Sequence, residues 1–222
     1  WNILASGSGG IWDSSLSIGS ANQKLRVSSG GALEFFTEPA VTSDFVKIQS
    51  GGSSTTVSEL VFDNLDVATY SAFKFIWSSI PIVDDGYFRA QLRTGGASGS
   101  NMNQTIYNSA QMMVTGSSST AQRHESGVNY WEFLANGGYN NYEGHYMEMM
   151  FYPRKSTHET GHGNSFTCVG TRVDSGSNFR SMTSSGRLRM TNSGENIIPT
   201  GIRFYYNNGD IDQYDYELWG LK

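Results

Sequence analysis

The chain has 222 residues, 37% of them hydrophobic and only 16% charged, with a formal net charge of −5. That length suits one all-β core with a shorter attachment, and the absence of a basic stripe argues against a nucleic-acid partner. No apolar run reaches the length of a membrane span, so membrane insertion is not expected, and a single cysteine rules out an intrachain disulfide or a zinc-ribbon scaffold.

The 12 Tyr, 12 Phe and 5 Trp suit strands, and the 26 Gly with many Ser, Asn and Thr supply turns. The chain opens on Trp1 with neither methionine nor a charged-then-apolar leader, which suggests a processed, trimmed or partial product. Residues 1–43 differ from the rest. Short apolar pieces such as Leu25-Arg26-Val27 and Leu33-Glu34-Phe35 stand between Gly-Ser runs, predicting short strands and tight turns. Trp1, Ile3, Leu4, Ile11, Trp12, Leu16 and Ile18 are too few to close a core of their own. This attachment segment therefore needs a partner surface, either the following domain or further copies of the chain.

From residue 44 the expected strands lengthen. Val57 to Phe62 and the heavily apolar Tyr70 to Trp77 come first, followed by a turn over Ile80 to Gly86. Tyr87 to Arg93 alternates cleanly, with Phe88, Ala90 and Leu92 facing in and Tyr87, Arg89, Gln91 and Arg93 facing out. Residues 95–104 read as a loop, Met112 to Val114 and Tyr130 to Leu134 as less regular pieces, and Asn136 to Glu143 as another loop. Gly144 to Tyr152 and Phe166 to Val173 predict a hairpin, and Arg187 to Met190 a further strand. At the end, Gly201 to Tyr206 turns at Asn207-Asn208-Gly209, and Tyr214 to Leu221 returns antiparallel. No segment carries a helical period. The fold class expected over 44–222 is an all-β, antiparallel, jelly-roll-like β-sandwich.

Thr157 to Cys168 contains His158-Glu159-Thr160-Gly161-His162, a literal match to the zinc-hydrolase pattern H-E-x-x-H. Two histidines four apart meet one metal only on a helix, and the run from Lys155 to Asn164 has no large apolar residue to hold a helix to a core. Gly161 and Gly163 oppose a helix further. The segment reads as the polar tip of the hairpin. His158 and His162 would otherwise meet a metal only as a set repeated about a trimer axis. Cys168, in an alternating run, reads as a small buried hydrophobe, and His124 and His145 have no ligand at metal spacing. Asp210, Asp212, Asp215 and Glu217 lack the glycine-turned order of a calcium loop and read as the solvated edge of the final hairpin. No nucleophile elbow or catalytic repeat is present and no cofactor is implied, so the chain is read as non-enzymatic.

Binding candidates are Tyr130, Trp131, Tyr139, Asn140 and Tyr142, which combine flat ring faces with amide hydrogen-bonding groups suited to sugars. The same residues would serve equally to pack a loop or an intersubunit contact.

The closing residues Thr200-Gly201-Ile202-Arg203-Phe204, Gly209-Asp210-Ile211 and Glu217-Leu218-Trp219-Gly220-Leu221-Lys222 resemble the C-terminal strands of a diverse group of tailed-phage virion proteins. Those end in I-x-G-I-R-F-x-x-x-x-G-x-I, a short spacer, and L-Y-G-L. Ser50 to Ser54, Leu60 to Leu65, and Pro81 with Asp84-Asp85-Gly86 ahead of Phe88 to Arg93 resemble the same group's N-terminal half. Trp219 stands where tyrosine is usual, and Gln213-Tyr214 replaces a Gly-containing spacer. The resemblance implies a virion surface protein assembled in the host cytoplasm and does not choose head or tail; the reading taken is the tail-fibre or receptor-binding type. It also implies a homotrimer, with residues 1–43 attached to other virion proteins and host-surface glycan as a further partner. Capsid decoration or a head fibre is the alternative it leaves open. A secreted carbohydrate-binding module and a zinc hydrolase are the rival classes.

Overall fold

The computed structural model describes residues 5–6, 12–13, 23–37, 44–84, 86–103, 107–115, 120–137, 143–155, 163–173, 178–188 and 197–222. The chain divides into two compact units, Trp1–Ser43 and Asp44–Lys222. In the first, β1 (Ala5–Ser6) pairs with β2 (Trp12–Asp13), and β3 (Gln23–Val27) with β4 (Leu33–Thr37), all antiparallel. The β3–β4 turn closes through Gly31 at φ 83° and a 2.7 Å bond from Ser28 N–H to Ala32 O. Arg26 crosses the hairpin to Glu34 at 2.8 Å and lies 4.4 Å over the Phe36 ring. Leu25, Val27 and Leu33 remain exposed.

Among the described residues the second unit holds thirteen strands: β5 (Phe45–Ser53), β6 (Leu60–Asp63), β7 (Ala72–Pro81), β8 (Gly86–Thr94), β9 (Ser100–Asn101), β10 (Tyr107–Thr115), β11 (Thr120–Val128), β12 (Trp131–Gly137), β13 (Gly144–Tyr152), β14 (Ser165–Val173), β15 (Phe179–Leu188), β16 (Gly201–Tyr206) and β17 (Ile211–Leu221). They form an eight-stranded antiparallel sheet, β11-β10-β15-β14-β13-β7-β17-β5, and a five-stranded one, β12-β8-β16-β6 with β9 on β8. Among the described residues the only helical element is one 3-10 turn, Gly96–Ser98, and no helix is long and apolar enough to cross a membrane.

The sheets face each other through rings from alternating positions. Phe204 on β16 stacks on Phe88 at 5.7 Å and meets Phe75 of the larger sheet at 5.2 Å. Trp77 reaches Phe88 at 5.3 Å, and Phe133 on β12 meets Phe166 on β14 at 4.7 Å. Each such side chain, fully buried, contributes roughly 1.5–3 kcal/mol, and together they make the antiparallel β-sandwich expected from the strand pattern. Phe88, Ala90 and Leu92 are completely buried, as their alternation required. On the opposite face of β8, Gln91 is also buried, because Arg203 and Asn129 close over it with hydrogen bonds.

Three expectations need correction. β16 and β17 do not pair with each other: the Asn207–Gly209 turn, with Gly209 at φ 85°, carries the chain from the smaller sheet to the larger. Both flanks of β16 are already taken by β8 and β6. For the same reason Asp215 and Glu217 do not lie on a sheet edge, since β17 runs between β7 and β5. Finally, the pieces around Met112 and Arg187 belong to nine- and ten-residue strands, β10 and β15, and β11 was not foreseen. Their inward positions include Ser109, Gln111 and Ser184, so polar groups interrupt the apolar alternation; Gln111 Nε2 donates to Glu132 O at 2.9 Å.

Gly220 of the closing Leu-Trp-Gly-Leu run has a packing role. It sits opposite Phe73, and a Cβ there would lie 2.4 Å from the Tyr70 ring.

Candidate functional site

Strand period places β7, β13, β14, β15, β10 and β17 side chains alternately inward and outward, and the register aligns the outward ones in rows. One row runs Glu217, Ile76, Glu148, Val169, Thr183, Met112, and the next Trp219, Lys74, Met150, Thr167, Ser185, Ala110. A third runs Asp215, Ser78, Tyr146, Thr171, Ser181, Val114. This face is rich in hydroxyls and apolar groups, and the charged members of these rows are gathered on β17, β7 and β13. Met112, Val114, Tyr146, Tyr152, Val169 and Phe179 on it are all exposed. Among the described residues, four depressions of about 340 to 470 Å³ open on it.

One of them, about 470 Å³, is bordered by Phe45, Ile76, Met150, Val169 and Trp219, with Lys74 and Glu148 across it. Lys74 Nζ lies 2.7 Å from Glu148 Oε2, and Tyr146 OH donates to Glu148 Oε1 at 3.0 Å. The Lys74 hydrogen bond, with that of Tyr146, holds the Glu148 carboxyl below its ordinary pKa; burial and the same carboxylate raise that of Tyr146. A parallel arrangement stands beside it. Lys47 Nζ pairs with Glu217 Oε1 at 2.5 Å, and Trp219 Nε1 donates to Glu217 Oε2 at 3.0 Å, which together lower the Glu217 pKa. Lys47 Nζ also lies 5.4 Å from the Trp219 ring centroid. Two carboxylates and two ammoniums are thus fixed around one indole.

The five-stranded sheet presents a different outward face. Arg93 forks onto Asp63 at 2.9 and 3.2 Å and reaches Asn101 and Gly99 O. Arg89 pairs with the buried Glu132 at 3.0 Å, and Arg203 with Glu59 and Gln91. Here the charges neutralise one another across strands, tying β6, β8, β12 and β16 together.

The sequence candidates fall in separate places. Trp131 is wholly buried, 5.0 Å from Phe166 and 5.4 Å from Tyr107, so its assignment as a ligand-contacting ring is corrected to the core. Neighbouring Tyr130 faces the other way, with the Arg89 guanidinium 3.7 Å over its ring. Tyr139, Asn140, Tyr142, His158, Glu159 and His162 lie outside the described residues. The strands on either side of residues 156–162 do form the expected hairpin, Tyr152 opposite Ser165 on β13 and β14. Cys168 is a buried core residue whose thiol burial pushes up to about 12. Among the described residues no group of three His, Cys, Asp or Glu is arranged to hold a metal.

His145 is buried too. Its Nδ1 lies 2.7 Å from Tyr206 OH, which lies 2.7 Å from Ser79 Oγ, which accepts from Trp77 Nε1 at 2.7 Å. Burial, with the nearby Arg172 charge, lowers its pKa to about 3, so the ring is neutral. The chain of bonds joins the two sheets inside the core.

Comparison with known protein families, curated proteins and solved structures finds no match.

Proposed function

We propose that this chain is a non-enzymatic virion surface protein of tail-fibre or receptor-binding type, which acts by contact through the outward face of its eight-stranded sheet. That face carries the reading: it is broad and exposes six large apolar side chains along four adjacent strands, β13, β14, β15 and β10, beside hydroxyls. An exposed apolar surface rimmed by polar groups marks an interaction site in a water-borne protein. The closing Gly-Ile-Arg-Phe and Leu-Trp-Gly-Leu runs support the virion assignment by resemblance.

Self-association through residues 1–43 belongs to the same reading. An isolated two-stranded hairpin is marginal in water, and β3–β4 keeps Leu25, Val27 and Leu33 exposed. Repetition of the chain about an axis would multiply weak receptor contacts through effective concentration.

Immunogold electron microscopy of the source particle tests the assignment. Label at the tail supports it, label confined to the head favours capsid decoration, and absence from the particle favours a free binding module and overturns the proposal. Light scattering addresses assembly: a trimeric full chain and a smaller species starting at Asp44 are expected, and a monomeric full chain at micromolar concentration refutes self-association.

A further inference from the structure

We propose that the depression beside Trp219 binds a neutral saccharide, its C–H face against Trp219, Ile76 and Val169 and its hydroxyls between Glu148 and Lys74. The proposal rests on the contact-protein reading above and gives that face a ligand class. It also moves glycan recognition away from the Tyr130 region to the opposite sheet.

Size comes first. At about 470 Å³ the depression falls within the range of small-ligand sites, and its walls are strands rather than loops, so its shape is set by the register of six of them.

Charge then selects neutrality. Lys47 and Lys74 balance Glu217 and Glu148, and both carboxylates are fixed in ion pairs at 2.5 and 2.7 Å. An anionic or cationic ligand would meet one partner of like sign for each it was drawn to. A hydroxyl donates to a carboxylate and accepts from an ammonium, so a polyol engages both halves of the Lys74–Glu148 pair without separating them. Both side chains retain roughly a third of their exposure, 30% and 37%, leaving hydrogen-bonding capacity toward solvent.

A purely apolar occupant fits less well. Thr167 and Thr183 line the same depression, and covering them together with the ion pair would strand their water-facing hydrogen bonds. The Tyr146–Glu148–Lys74 and Trp219–Glu217–Lys47 bonds also hold the recognition groups in place before binding, which reduces the ordering cost that weakens saccharide sites.

Saturation-transfer NMR on the full chain tests this with methyl glycosides of glucose, galactose, mannose and N-acetylglucosamine. Methyl glucuronide and N-acetylneuraminic acid serve as charged comparators. Transfer to the ring C–H protons of at least one neutral glycoside is expected. Its binding should weaken about tenfold or more in Glu148→Gln, which keeps the side-chain shape but loses the charge-assisted acceptor. Trp219→Leu should abolish it; if that variant melts early, Glu148→Gln and Lys74→Met alone decide. No transfer to any neutral glycoside, preference for the charged sugars, or unchanged binding in the variants each overturns the proposal. So does a change in oligomer mass in Glu148→Gln, which would make the face a copy-to-copy contact. Glycoside binding by a chain absent from the particle would sink the virion assignment and leave the site standing; a particle-borne chain that binds none would do the reverse.

Discussion

Tyr206 on the five-stranded sheet meets His145 on the eight-stranded sheet through a 2.7 Å contact between the phenol oxygen and imidazole Nδ1. Because burial holds His145 neutral with a pKa of about 3, its unfolded counterpart takes up a proton first as pH falls. Stability contributed by this neutral ring is present above pH of about 6.5 and declines progressively from there toward pH 3. Thermal melting between pH 7 and 4.5 should therefore show a steeper fall in Tm for the native chain than for His145→Gln. Parallel curves would refute the linkage.

Trp131 and Tyr130 are adjacent in sequence but opposite in role. Trp131→Ala should cost about 3–5 kcal/mol in urea unfolding, the loss expected for a large core aromatic. Tyr130→Ala removes a ring stacked under Arg89 near the surface and should cost about 1 kcal/mol or less. Similar losses in the two variants would contradict this division.

Gly220→Ala should destabilise the fold by about 1–3 kcal/mol, because the new methyl must displace the Tyr70 ring that now occupies its space. Pairing the change with Tyr70→Ala should recover part of the loss, and additive costs in the double variant would show that the ring is not the obstacle.

Cys168 should resist alkylation. Its thiol is 3% exposed and burial raises its pKa to about 12, so little thiolate forms at neutral pH. Iodoacetamide should label the chain only in denaturant; rapid stoichiometric labelling of the native protein at pH 8 would contradict that placement.

What the sequence disclosed depends on how cleanly apolar residues alternate. Phe88, Ala90 and Leu92 or Ile202, Phe204 and Tyr206 announce strands because every second residue enters the core. β10 and β15 hid because Ser109, Gln111 and Ser184 occupy positions that face inward. The rows around Trp219 were harder still to see. Lys74 and Glu148 are 74 positions apart, and only the β7–β13 register, which sets Lys74 opposite Met150 and Ile76 opposite Glu148, brings them into contact. Trp131 failed as a binding residue for a simpler reason: aromatic enrichment is the same signal for a core and for a sugar platform, and only the inward phase of β12 separates them.

The position of the last two strands has a consequence for biosynthesis. β16 lies between β8 and β6, and β17 between β7 and β5, so each sheet has a gap in it until residues 201–221 exist. A nascent chain emerging from the ribosome can form the β13–β14–β15 meander first, yet neither sheet is continuous until residues 201–221 have cleared the exit tunnel. Premature termination anywhere upstream of Gly201 would leave β6 and β5 without neighbours and several aromatic rings in water. Quality control would meet such fragments as unfolded chains rather than as shortened proteins.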